Sequence, residues 1–160
     1  MAIKKKLIHD IKKKMLQIKS NKILKDIFAN KGLQQDILDL NREDQLYERG
    51  IDAEGKELGD YSPITITHYK PLAARQGRDG RSDHVTLKDT GEFYRSFKFR
   101  NNPGDFNFTA DAIKKGEGLP TDLTVAFGKN IIGLTDENKG KVKEWIRPDI
   151  FKAVGLIVKK

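Results

Sequence analysis

Leu87-Lys88-Asp89-Thr90-Gly91-Glu92-Phe93-Tyr94-Arg95-Ser96-Phe97 lies at the centre of the chain and sets the reading of everything around it. Thr90 offers a hydroxyl cap and Gly91 a backbone free to turn either way. Phe93, Tyr94, Phe97 and Phe99 follow at once, so apolar burial is concentrated just after the turn. The segment reads as an aromatic corner of the fold. Its local form is left open between a strand in part and a short helix from Thr90-Gly91-Glu92-Phe93 ahead of a strand at 95–100. Upstream stands a companion, Gly59-Asp60-Tyr61-Ser62-Pro63-Ile64-Thr65, closed by Tyr69-Lys70. There an amphipathic ring is paired with a rigid proline turn. Ser62 and Ser96 lack the strand–turn–helix setting of a nucleophile elbow, so neither segment reads as an active site.

Working toward the N-terminus, Ile3, Leu7, Ile11, Met15, Ile18 and then Leu24, Ile27 and Phe28 recur at helical steps with lysines between them. The pattern predicts an amphipathic helix over 3–29. Asn30-Lys31-Gly32 is expected to stop it, with Gly32 in the left-handed conformation. A second helix is expected over 33–49, terminated by Gly50. Residues 50–86 carry Gly and Pro too densely for a long element, and the polar tract 75–83 reads as a mobile loop.

Toward the C-terminus, Phe106, Phe108 and Ala110 alternate, and Leu123-Thr124-Val125-Ala126-Phe127 is a β-type run between turn residues. With residues 95–100 these predict an antiparallel meander. Thr135 is placed as an N-cap ahead of Val142, Trp145 and Ile146. Pro148 is expected in the first turn of a further helix lined by Ile150, Phe151, Val154 and Ile157. The fold class is therefore α+β: N-terminal helices, a small antiparallel sheet and a C-terminal helix. Residues 1–32 form a basic amphipathic helix, and 33–160 a single domain with a long loop at 71–86.

Charge sharpens that division. Net charge is +8, yet residues 1–31 hold ten lysines against Asp10 and Asp26, leaving the rest of the chain neutral overall. Lys4, Lys5, Lys6, Lys12, Lys13 and Lys14 are the candidate contacts to an anionic partner; the alternative is a solvated helix face. Aromatic residues for base stacking are missing apart from Phe28, so any nucleic-acid contact would be made to the phosphate backbone. With no cysteine there is no disulfide or thiolate chemistry. No apolar run approaches the roughly 18 residues of a membrane span, and no secretory h-region follows the basic start.

Other sites fall away on chemistry. Gly50-Ile51-Asp52-Ala53-Glu54-Gly55-Lys56-Glu57 nearly spells a phosphate-binding loop, but Glu57 replaces the magnesium-binding hydroxyl and two acids would sit in the cradle. Asp52, Glu54 and Asp60 miss the EF-hand spacing and read as a solvated acidic turn. His68, Asp83, His84 and Asp89 have no metal-ligand spacing and read as surface groups. No catalytic, metal or cofactor-binding residue is assigned.

The two central segments resemble the virion-morphogenesis, or tail-completion, proteins of tailed bacteriophages, small neck components between head and tail. The resemblance is carried by Tyr61, Ser62, Pro63 and Thr65 with Lys70, by Leu87, Thr90, Gly91, Phe93 and Ser96, and by Arg147-Pro148-Asp149-Ile150-Phe151. It spans residues 46–155 and departs from the family at 111–122 and 133–136. It implies a non-enzymatic head–tail connector subunit of the virion, assembled in the host bacterial cytoplasm. Such a protein forms a ring of like subunits that meets portal, tail or other neck proteins; the alternative is a nucleic-acid-binding accessory protein, with DNA as partner of the N-terminal lysines. Contacts are expected at the 71–86 loop with Arg75, Arg78 and Arg81, at 111–122, and at both helical ends.

Overall fold

The computed structural model describes residues 2–114 and 120–158, without the side chains of residues 2–12, Lys14, Ile18 and 156–158. Lys4, Lys5, Lys6, Lys12 and Lys14 therefore lie outside the described side chains. The fold is α+β, with six α-helices and two small antiparallel sheets of two strands each among the described residues.

Helix α1 runs Ala2–Ile27 and α2 runs Lys31–Asp39, continuing as a π-helical stretch, Leu40–Arg49. Asn30 separates α1 from α2 by capping: its Oδ1 accepts from the amides of Gly32, at 2.9 Å, and Leu33, at 3.3 Å. Gly32 thus lies inside α2 and not in a left-handed stop, because the short polar side chain of Asn30 ends one helix and opens the next. Gly50 is the left-handed terminator expected of it, at φ 60°. A Cβ there would also collide with the ring of His84, so glycine is required on two counts.

The middle of the chain is more regular than its glycines suggest. Ser62 Oγ accepts from the Thr65 amide at 3.3 Å, Pro63 follows in the first turn, and a π-helical turn Thr65–Tyr69 leads into α3, Lys70–Arg75. The expectation of no long element in this stretch is thereby corrected: Ser-Pro is a helix start here, and the helical run continues over 63–75. The short helix α4, Glu92–Arg95, follows Gly91 at φ 77°.

Strands β1, Lys98–Asn102, and β2, Asp105–Thr109, form a hairpin in which Phe99 faces Phe108. The third strand of the expected meander does not form. Leu123–Phe127 is helix α5, because Asp122 Oδ1 caps the Thr124 amide at 2.8 Å. Just before it, β3, Ile113–Lys114, pairs with β4, Thr121–Asp122. Helix α6, Asp136–Val158, opens on Thr135, whose Oγ1 accepts from the Asn138 amide at 3.2 Å. It continues through Pro148 without the break expected there. Proline removes one backbone donor, but Pro148 and Glu144, whose carbonyl it would have engaged, are both exposed.

Two apolar clusters support this frame. One gathers Leu38, Leu46, Phe93, Tyr94, Phe97, Ala112, Leu123 and Ile131. The other gathers Phe28, Ile37, Leu40, Leu134, Val142 and Ile146. Phe99 and Phe108 pack against both, so the hairpin joins them. Between the π-helical stretch and the start of α6 runs a buried polar seam. Asn138 Nδ2 donates to Gln45 Oε1 at 2.9 Å, and Gln45 Nε2 donates to the Gly133 carbonyl at 3.1 Å. Among the described residues no helix is long and apolar enough to cross a membrane.

Candidate functional site

The two central segments, whose signature residues are so named only for the resemblance they carry, meet. The loop between α3 and α4 folds back over the Tyr61 segment, and Asp79 stands at their junction. Its Oδ2 accepts from Lys70 Nζ at 3.0 Å and from Thr86 Oγ1 at 2.6 Å, while its Oδ1 accepts from the Arg81 amide at 3.1 Å. Burial works against ionising Asp79, but the hydrogen bonds from Thr86, Lys70 and the Arg81 amide outweigh it and hold the carboxyl below its ordinary range. Burial likewise works against charge on Lys70, and there Tyr61 and Asp79 prevail and raise it. The Lys70 ammonium lies 4.2 Å from the Tyr61 ring centroid. Tyr61 Oη in turn accepts from the Thr86 amide at 3.1 Å.

The second signature segment closes the same corner. Tyr94 donates its hydroxyl hydrogen to the Thr86 carbonyl, and burial pushes that phenol upward in pKa. Thr90 Oγ1 receives the Glu92 amide at 3.4 Å. Ser96 Oγ donates to the Phe93 carbonyl at 2.7 Å and accepts from the Asp111 amide at 2.9 Å, tying α4 to the segment before β3. Phe93 stacks edge-on with Phe97 at 5.0 Å. Leu87, at φ 59°, and Asp89, at φ 35°, are the two positive-φ residues other than glycine among the described residues. Both lie in this loop, where the surrounding contacts hold strained backbone in place.

These elements enclose an open cleft of about 570 Å³. Seven signature residues line it: Tyr61, Ser62, Thr65, Lys70, Leu87, Thr90 and Phe93. Pro63, Gly91 and Ser96 serve from behind, as helix start, turn and brace. The four lysines and arginines of the wall are all matched by acids: Lys70 by Asp79, Arg78 and Lys114 by Asp89, and Lys88 by Glu43. Asp60 and Glu92, also in the wall, are exposed and enter no ion pair among the described residues.

The 71–86 loop differs from expectation. Arg78 is engaged by Asp89, and Arg81 by Glu48 at 3.0 Å and Asp83 at 2.8 Å. Its polar side chains face partners within the chain, so the tract read as mobile is pinned. Arg75 alone of the three is exposed without such a bond among the described residues. Tyr94 reads as one of the buried aromatics, but Asp79 and Thr86, which organise the corner with it, carry no spacing that would single them out.

The remaining candidates stay apart. Asp52 is buried, not solvated, and its Oδ1 accepts the amides of Glu54 and Lys56, both at 2.9 Å, filling the would-be phosphate cradle from within. His84 is tied to the Tyr47 carbonyl at 2.8 Å and to Asp83 at 3.2 Å, whereas His68 is exposed on the π-helical turn. Among the described residues no group of three or more His, Cys, Asp and Glu gathers to hold a metal. Lys13 is exposed, as are Lys19, Lys22 and Lys25. Comparison with protein-family models, with curated proteins and with solved structures finds no match to the chain.

Proposed function

We propose that the chain is a non-enzymatic structural subunit of a tailed-phage virion, a head–tail connector or tail-completion protein assembled as a ring. What supports this reading is the convergence of both signature segments on one hydrogen-bonded corner around Asp79. Of the residues that carry the resemblance, those of the two central segments gather at this corner, whereas Arg147 to Phe151 lie apart on α6. Exposed apolar groups of the kind a subunit in an assembly would cover stand at Ile64, just before the π-helical turn, at Tyr69 on it, at Leu72 on α3, at Val125 on α5 and at Phe151 on α6. Portal, tail and neighbouring neck proteins are the partners, and the virion its place. Removing the gene from the phage that encodes it is expected to leave heads and tails unjoined in electron micrographs. Intact, infectious particles from the deletion would overturn the proposal.

A second reading has its own observation, the exposed lysines of α1. A nucleic-acid-binding accessory protein would use them on phosphates, with affinity falling steeply as salt rises. Duplex binding that is absent at low salt, or unchanged without residues 1–31, would end that reading.

A further inference from the structure

The cleft and α1 are complementary. The cleft carries apolar walls, including Leu58, Phe127 and the exposed Tyr69, with the carboxylates of Asp60 and Glu92, unpaired among the described residues, on them. Helix α1 presents the opposite pattern. Met15 and Leu16 are 54% and 68% exposed, and Lys19, also exposed, lies between them within about 100° of arc at 3.6 residues per turn. Lys22 continues that face one turn on. Apolar side chains among cations match a groove with apolar walls whose unpaired charges, among the described residues, are carboxylates, and a helix laid into a groove is a recurring mode of recognition.

Among the described residues, the helix does not reach the cleft of its own chain. Its C-terminal end is seated elsewhere: Phe28, just beyond it, packs edge-on against Phe106 at 4.9 Å, and the Lys25 carbonyl accepts from Asn101 Nδ2 at 2.7 Å. Among the described residues, none of α1, β1, β2 or α6 lines the cleft. We propose that the cleft receives α1 of a second copy of this chain, Met15 and Leu16 entering it while Lys19 and Lys22 meet Asp60 and Glu92. The inference rests on the reading of the chain as a ring-forming subunit and supplies the contact for it. Arm and cleft are different surfaces, so the interface is heterologous and propagates from copy to copy until it closes. A duplex is disfavoured as the occupant: carboxylates repel phosphates, and phosphate contacts leave Met15 and Leu16 uncovered.

The test is sedimentation velocity on the full-length chain across concentration at low salt. Wild type is expected to self-associate. Lys19→Glu with Lys22→Glu, and separately Asp60→Lys with Glu92→Lys, should each weaken association about tenfold or more. Mixing the two reversed proteins should restore it between them, because each arm then faces a cleft of opposite charge. Leu16→Asp should also weaken it, and circular dichroism should show every variant folded, since none of these side chains holds a hydrogen bond among the described residues. A wild type that stays monomeric at every concentration, association that ignores both reversals, or a mixture that fails to recover would overturn the inference. So would an arm reversal that removes only binding to a DNA duplex in a mobility-shift titration. Each of these results leaves the virion role standing, because that role is judged by the gene deletion.

Discussion

Around Asp79, the cations in the wall of the cleft each meet an acid, three donors converge on the Asp79 carboxylate, and the carbonyl of the positive-φ Asp89 accepts from the Asp79 amide at 3.0 Å. Along α1, Lys13, Lys19, Lys22 and Lys25 stand exposed, with Met15 and Leu16 open beside them. One region is determined by its own contacts. The other has surface chemistry that its own chain does not use. A residue that fixes the fold and one that meets a partner therefore fail in different assays, and substitutions in the two regions should separate along that line.

The largest effect is expected at Phe93. It is 7% exposed and packs against Phe97, so Phe93→Ala should cost about 3–5 kcal/mol in urea unfolding. A change below 1 kcal/mol would mean that the corner is not a core element.

Next comes Asp79→Asn, which leaves the 9% exposed Lys70 side chain without its carboxylate and should cost about 3 kcal/mol at neutral pH. The pH dependence has a definite sign. Asp79 is held below its ordinary value of 3.8, so its stabilisation is present in full above that value and is lost as pH falls through the lowered one. Lys70 is raised, so its contribution holds below its ordinary 10.5 and is lost only as pH rises through the higher value. The gap between wild type and Asp79→Asn should therefore narrow on acidification. A gap that widens would place the effect outside this ion pair.

Much of the frame was legible beforehand. The helices α1 and α2, Gly50 as terminator, the alternating phenylalanines of the hairpin and the Thr135 cap all follow from local chemistry that tertiary packing did not oppose. The failures share a cause. Ser62-Pro63 and Asp122 are caps, and each turned a segment read as loop or strand into helix by satisfying amides at its start. Pro148 was given too much weight as a breaker, since an exposed helix side tolerates the missing donor. In the corner, Tyr61, Lys70, Thr90 and Phe93 were visible. Asp79 and Thr86 were hidden in a polar tract, because pairing across the α3–α4 loop leaves no periodic trace in a sequence.

A smaller effect is expected at Tyr61→Phe, which keeps the ring beneath Lys70 and removes the hydroxyl that accepts the Thr86 amide. The loss should be about 1 kcal/mol. Smallest of all is Lys19→Ala with Lys22→Ala, expected to stay within about 0.5 kcal/mol of wild-type stability while weakening self-association. A clear fall in melting temperature for this pair would erase the contrast between the two regions.

The central claim, a structural subunit of the virion, is tested most directly by quantitative mass spectrometry of purified particles. The chain should be present in tail-bearing particles at a fixed ratio to the portal protein. Its absence from them, with abundant protein left in the lysate, would contradict the account.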